Sequence, residues 1–201
     1  CKILVSLQKN DEETIKAIKS LDVKIYTQSG NGYGNSLIEG INNCKTSYFC
    51  IFNADGSFEV NDLYEMYKLI KKNDFVYTSR YKYGGGSEDD TLLTLAGNKI
   101  FSTLGKLLFG LSISDILYTY LMGQTKKFQE LNIKSYDFRF CVELPIKMHL
   151  LKMKYTTIPS KEKKRIAGKK KVNPFKDGFL ILLEILRLFL NYKILRKKRV
   201  S

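Results

Sequence analysis

The sequence predicts an α/β fold, a mostly parallel sheet flanked by helices and followed by a C-terminal amphipathic helix. Three observations carry this. Short apolar runs and amphipathic stretches alternate from Ile3 to Ser79 at the pitch of strand, helix, strand. One of those runs, Ser47 to Phe52 (SYFCIF), is uncharged and bounded by Lys45 and Asn53, as a strand buried on both faces should be. The chain also has 201 residues, 44% of them hydrophobic, enough for one sizeable core.

Ile3 to Leu7 reads as a buried strand. Asp11, Glu12 and Glu13 follow in the first turn of a helix that points Ile15, Ile18 and Leu21 inward, and carboxylates suit that end of the helix dipole. Val23 to Thr27 alternates as a second strand. SGNGYGNS, Ser29 to Ser36, then leads into a helix with Leu37, Ile38 and Ile41 on one side. Glycines at 30, 32 and 34 permit close backbone approach to a ligand, with helix amides toward a phosphate, although no phosphate-binding Lys accompanies them. After the Ser47 to Phe52 strand come the acidic turn, Asn61 as a helix cap, and Leu63, Met66, Leu69 and Ile70 at helical spacing. Phe75 to Ser79 is another strand, running into Arg80, Tyr81 and glycines 84 to 86.

Beyond the acidic stretch Ser87 to Asp90, residues Thr91 to Phe109 are helical by spacing. Leu92, Leu95, Ala96, Phe101, Leu104 and Leu108 should face the core or a lipid surface, with Gly97 and Gly105 as interruptions. Asp115 follows in a loop, Leu117 to Met122 reads as a strand, and Gln124 to Leu131 as a short helix. Asp137 to Met153 holds a further helix, with Glu143 near its start and Pro145 in its first turn. His149 on that helix is expected to be an ordinary surface or boundary residue. Tyr155 to Pro159 is the last strand. Lys161 to Lys171, with seven basic residues and one acid, is too polar to pack and reads as a mobile loop or an anion site. Phe175 to Leu190, interrupted by Glu184 and Arg187, is too short and charged to span the roughly 20-residue hydrocarbon core of a bilayer. It reads as an interfacial helix backed by Lys193, Arg196, Lys197, Lys198 and Arg199, or equally as a core helix with a solvated charged end.

The formal charge of +14 is local. From Lys161 onward fourteen Lys and Arg face Glu162, Asp177 and Glu184, a net of +11, so the first 160 residues carry only +3. A near-neutral body with a basic end suits an anionic membrane surface as well as a polynucleotide, and the basic run lacks the interleaved aromatics that stack bases, so no nucleic-acid partner is expected. Cys1, Cys44, Cys50 and Cys141 have neither zinc nor thioredoxin spacing, which points to reduced thiols in a cytosolic compartment. No signal peptide is recognisable in the charged start.

Asp55, in IFNADGSF, would stand at the carboxyl end of the Ser47 to Phe52 strand. Ligands of open α/β sheets lie outside those ends, where a carboxylate can hold a divalent cation against a phosphorylated ligand. Asn, Asp, Gly and Ser also populate turns for backbone reasons alone, so the five residues by themselves are ambiguous.

Six stretches in order remove much of that ambiguity. They are NGYGNSLIEGI at 31–41, FNADGS at 52–57, TSRYKYGGG at 78–86, ISDILYTYLMG around Asp115, FCVELPIK at 140–147 and KKRIAGKKKV at 163–172. Together they resemble glycosyltransferase family 2, of GT-A (Rossmann-like) fold, and most closely bacterial members similar to dolichyl-phosphate mannosyltransferases. The resemblance divides the chain into a glycosyltransferase domain at 1–160, a basic loop at 161–174 and an amphipathic interface helix with basic tail at 175–201.

The resemblance implies inverting transfer of a sugar from a nucleoside-diphosphate sugar, assisted by Mg²⁺ or Mn²⁺, to a polyprenyl phosphate or glycan acceptor. It implies cell-envelope or polysaccharide synthesis at the inner face of the plasma membrane. Asp55 matches the metal-binding aspartate, Asn53 replaces a first aspartate beside the donor, and Ser57 takes the place of a further metal ligand. Gly32, Gly34 and Arg80 become donor-binding candidates. Glu143 resembles the acid that deprotonates an acceptor hydroxyl. Asp115 resembles the aspartate at the junction of donor and acceptor. Arg165 and Lys169 become phosphate contacts, through charge-assisted hydrogen bonds.

Two departures stand out. The family's usual first strand should precede Ile3, so the chain is expected to be incomplete or divergent at its start. Where relatives of the lipid-phosphate type carry an arginine before the long helix, this chain has Glu88, Asp89, Asp90 and Thr91. A non-catalytic sugar-nucleotide or lipid-binding module of the same fold is the alternative.

Overall fold

The computed structural model describes residues 2–168 and 171–200, with side chains as far as 192. Lys169, expected to bind phosphate, lies outside the described residues, as does Cys1. The chain opens with β1 (Leu4–Leu7), α1 (Glu12–Ile18) and β2 (Lys24–Thr27), the two strands pairing in parallel as a separate small sheet. Then come α2 (Tyr33–Asn42), β3 (Tyr48–Cys50), α3 (Asp62–Leu69), β4 (Phe75–Ser79) and β5 (Gly86–Ser87). The second half contains α4 (Leu92–Phe109), β6 (Leu121–Gln124), α5 (Thr125–Glu130), α6 (Phe140–Leu150), β7 (Tyr155–Pro159), β8 (Lys161–Glu162) and α7 (Pro174–Val200).

The main sheet has the order β3-β6-β4-β7. β4 and β7 run parallel, and β6 lies antiparallel between β3 and β4. β4 is buried along its whole length, as a central strand must be. Its alternate residues feed two cores: Phe75 and Tyr77 join Phe49 and Leu121 against α2, α6 and α7, whereas Val76 joins Met122, Ile158 and α3's Met66. Gly123 on β6 lies between Phe49 and Phe75, where an added Cβ would come within 2.7 Å and 2.8 Å of their rings. Only glycine lets those two phenylalanines flank the strand.

Several expected details differ. Leu21 lies past the end of α1 and is exposed. Asn61 precedes α3 without capping it, because its side chain donates to Glu59 Oε1 at 3.0 Å. Leu92, Leu95 and Ala96 of α4 face solvent, and the buried stripe is Asn98, Ser102, Gly105 and Phe109. The strand expected over Leu117 to Met122 starts four residues later, after a turn closed by Tyr118 N–H donating to the Asp115 carbonyl at 3.2 Å. Pro145 falls in the second turn of α6 and not the first. The basic stretch does not remain apart, since Lys161 and Glu162 pair as β8 with β5. Thr91 caps α4 through a capping box with Thr94.

α7 packs one face into the core. Ile181, Ile185 and Leu188 are buried in the core, while Phe175, Phe179, Leu183, Leu186 and Leu190 on another face are exposed. Among the described residues no helix is long and apolar enough to cross a membrane. Cys44, Cys50 and Cys141 are free thiols, and burial pushes Cys50 and Cys141 up to about 12. His149 has partners after all: its Nε2 lies 3.1 Å from the Phe109 carbonyl, which can only accept, and its Nδ1 3.2 Å from the Tyr155 hydroxyl.

Candidate active site

Asp55 sits in a turn beyond the carboxyl end of β3, made possible by Gly56 at φ +80. Its Oδ1 accepts from the Ser57 amide at 3.1 Å and the Ser57 hydroxyl at 2.7 Å. Its Oδ2 lies 3.8 Å from Arg165 Nη1, beyond hydrogen-bond length. Asn53 is half-buried just before it. Ser57 is 1% exposed and spends its hydroxyl on Asp55, so it orients the carboxylate and does not present itself to an ion.

The basic segment lies over this turn. Lys163 N–H donates to the Ser57 carbonyl at 2.8 Å and Ile166 N–H to the Asp55 carbonyl at 2.9 Å. The Ile166 side chain covers Gly56, where a Cβ would meet its Cδ1 at 2.5 Å. Lys163 Nζ pairs with Glu59 at 2.8 Å, and Arg165 Nη2 with Asp89 at 2.9 Å. Residues 163–166 of the stretch read as a mobile loop or an anion site form a strap fastened to the acidic turn by main-chain and side-chain bonds.

Arg80 and Asp115 form a closed unit behind it. Asp115 is fully buried and accepts from Arg80 N–H at 2.9 Å, Arg80 Nε at 2.8 Å, Arg80 Nη2 at 2.8 Å and Asn98 Nδ2 at 2.6 Å. Arg80 Nη1 donates to Asp90 at 3.2 Å and Glu162 at 3.0 Å, and its guanidinium lies 4.4 Å from the Tyr118 ring centroid. Every nitrogen of that fork is engaged, so Arg80 is not offered to a donor phosphate and Asp115 is not offered to a substrate. Their carboxylates and guanidinium tie β4, α4 and β8 together.

Glu143 is likewise enclosed. It is 0% exposed, accepts from the Lys134 and Ser135 amides at 3.0 Å and 2.7 Å, and pairs with Lys147 at 2.6 Å. Burial alone would raise its pKa, but the Lys147 ammonium and the Ser135 and Lys134 donors hold it below the usual carboxylate range. A buried, ion-paired carboxylate with filled lone pairs reaches no acceptor hydroxyl. It anchors the 134–137 segment, and that segment explains the glycines. A Cβ on Gly34 would lie 2.2 Å from the Ser135 carbonyl oxygen, and one on Gly32 2.3 Å from that of Tyr136. Gly32 and Gly34 therefore admit the chain's own backbone where the sequence suggested a ligand. The Asn35 amide at the start of α2 is occupied by the Tyr136 carbonyl at 2.8 Å. Glu39 steadies the other side of the turn, accepting from Tyr26, Asn35 and both the amide and hydroxyl of Ser29.

Among the described residues no three His, Cys, Asp or Glu side chains converge as a metal cage. The Asp55 donor set nevertheless fits Mg²⁺ or Mn²⁺, which bind through one or two carboxylates together with phosphate and water oxygens. Oδ2 is the oxygen available for that. Sequence reasoning missed Asp89, Asp90, Glu162 and Asn98 as site residues. The acidic run before α4 was the visible signal for the first two, and Glu162 and Asn98 carried none.

A mixed α/β sheet, with β3, β4 and β7 running one way and β6 the other, and an acidic turn beyond the end of β3 define a domain of the GT-A class. The chain belongs to glycosyl transferase family 2, whose sequence model matches residues 3–131. Among solved structures it is similar to mannosyl-3-phosphoglycerate synthase from Rubrobacter xylanophilus, at TM-score 0.65 and 15% identity over 99% of this chain and 65% of that one. It is also similar to glucosyl-3-phosphoglycerate synthase from Mycobacterium tuberculosis in complex with Mn²⁺, UDP and phosphoglyceric acid, at TM-score 0.66 and 10% identity over 94% of this chain and 67% of that one. At such identities the likeness is one of fold, and the chain spans about two thirds of the length of these neighbours. A search of curated proteins finds no match.

Proposed function

We propose that this chain is an inverting glycosyltransferase that takes a sugar from a nucleoside-diphosphate sugar. The observation that carries the reading is Asp55 in a family 2 domain, its Oδ2 held 3.8 Å from Nη1 of Arg165 on the overlying strap. Asp55 would hold Mg²⁺ or Mn²⁺, and a bound divalent cation supplies charge neutralisation for the leaving diphosphate. Arg165 adds a second positive group on the same side, and Ser57 keeps the Asp55 carboxylate oriented. The glucosyl neighbour's complex with Mn²⁺ and UDP supports such a donor site.

Glu143 and Asp115 are both enclosed, which favours an acceptor that arrives already ionised and needs no base. A polyprenyl phosphate is such an acceptor. A groove of about 570 Å³ beside α4 supports it, running from Tyr81 and Ser114 past Leu95 and Leu111 with Lys99 and Lys106 on its wall. The exposed apolar residues of α4 and α7 would seat the protein on the anionic cytoplasmic face of the plasma membrane, with the basic residues from Lys193 onward strengthening attachment. Envelope or polysaccharide synthesis is the process that such a transferase would serve.

The single carboxylate of the acidic turn, beside Asn53, favours a second reading, a module that binds sugar nucleotide without turnover. Sugar transfer to polyprenyl phosphate, and donor hydrolysis, are to be measured with Mn²⁺ for wild type and Asp55→Ala. Transfer by the wild type that falls about a hundredfold or more in the variant supports the enzyme. Equal rates leave only the binding module.

A further inference from the structure

We propose that Asp89 is a positioning residue that holds Arg165 at the correct distance from Asp55, so that the guanidinium meets a donor diphosphate without displacing the cation. The inference rests on the reading of the Asp55 turn as the donor site. Arg165 turns its Nε and Nη2 edge to Asp89, at 3.3 Å and 2.9 Å from Oδ2. Nη1 is left toward Asp55 Oδ2 at 3.8 Å. Two carboxylates thus share one guanidinium unequally, with the stronger contact away from the turn.

The division has a chemical purpose. A guanidinium bonded bidentately to Asp55 would occupy the oxygen a cation needs, whereas one held by Asp89 leaves Oδ2 available and still contributes charge nearby. The strap itself does not depend on this ion pair. Its course is set by the Lys163 and Ile166 amides on the acidic turn, by Ile166 over Gly56 and by Lys163 on Glu59. Asp89 acts on the Arg165 side chain through its contacts with Nε and Nη2.

The test is calorimetric titration of the full chain with Mn²⁺ alone and with UDP in the presence of Mn²⁺, for wild type, Asp89→Asn, Asp89→Glu, Arg165→Gln and the double variant Asp89→Asn/Arg165→Gln, each checked for an unchanged unfolding midpoint. Asp89→Asn lets Arg165 collapse onto Asp55, so both Mn²⁺ and Mn²⁺–UDP binding weaken, the latter about tenfold, and Asp89→Glu restores most of the loss. Arg165→Gln weakens Mn²⁺–UDP binding yet tightens Mn²⁺ alone. In the double variant Asp89→Asn costs much less than it does in the wild type, because the guanidinium it positions is gone. Losses that multiply in the double variant, or an Asp89→Asn variant that binds like wild type, overturn the proposal while the donor-site reading stands. Wild type that binds neither probe overturns both.

Discussion

The Arg80 guanidinium and the Asp115 carboxylate meet edge to edge, Nε and Nη2 each 2.8 Å from a different carboxylate oxygen, with Asp115 wholly removed from solvent. Arg80→Lys keeps the charge but loses the fork, leaving Asp115, Asp90 and Glu162 around one ammonium. The variant is expected to lose about 3 kcal/mol of stability, read as a lowered urea midpoint. An unchanged midpoint would show that the pair does not hold the fold.

Acid should loosen the 134–137 segment through Glu143. Its folded pKa lies below the ordinary 4.5, so the stability it contributes is fully present above about pH 4.5 and drains away as pH falls through the folded value. Urea midpoints measured from neutral pH downward should fall in that window. Glu143→Gln should be about 2 kcal/mol less stable at neutral pH and show a shallower acid limb. Parallel pH curves for the two proteins would contradict this.

Two glycine substitutions should move stability in opposite directions. Gly34→Ala places a methyl 2.2 Å from the Ser135 oxygen and 2.8 Å from that of Asp137, both backbone, and should cost about 2–3 kcal/mol. Gly97→Ala, inside α4 with nothing within 4 Å, should gain about 0.5–1 kcal/mol by restricting the unfolded chain. Thermal melts of both variants check the pair.

Attachment to lipid is expected to depend on the outer face of α7. Phe179 and Leu183 are 62% and 45% exposed and contribute little to the core. Phe179→Ser with Leu183→Ser should weaken sedimentation with anionic vesicles about tenfold or more while leaving the melting midpoint in place. Equal sedimentation of variant and wild type would remove the membrane from the proposed function.

The run expected to be a strand buried on both faces, Ser47 to Phe52, is a short edge strand, Tyr48–Cys50, with Phe52 exposed, because composition does not say which strand lies at the centre of the sheet. Phe75 to Ser79, buried along its whole length, and the partly buried Tyr155 to Pro159 were read with correct bounds. α4 was legible as a helix, but its inward face was not. Its buried stripe is polar for a reason that periodicity cannot supply. Asn98 donates to Asp115 and accepts from the Leu117 amide at 3.0 Å, and Ser102 accepts from the Ile116 amide at 3.1 Å, so the stripe fastens the loop that carries Asp115. The apolar residues left over face outward. Asp55 stands in the turn that the sequence placed beyond β3, and it was the family resemblance that set it above an ordinary turn residue. Arg80, Asp115 and the glycines were assigned to the site because their enclosure depends on segments far away in sequence, Ser135 for Gly34 and Glu162 for Arg80, and Glu143 because the loop before its own helix turns its amides back onto it.

The placement of β6 has a consequence for how the polypeptide matures. β3 and β4 touch β6 and not each other, so each waits unzipped on the ribosome until residues 121–124 emerge, about 45 residues after the end of β4. During that interval SYFCIF and FVYTS are bare apolar ribbons, the segments a chaperone would grip and the ones through which stalled copies would stick together.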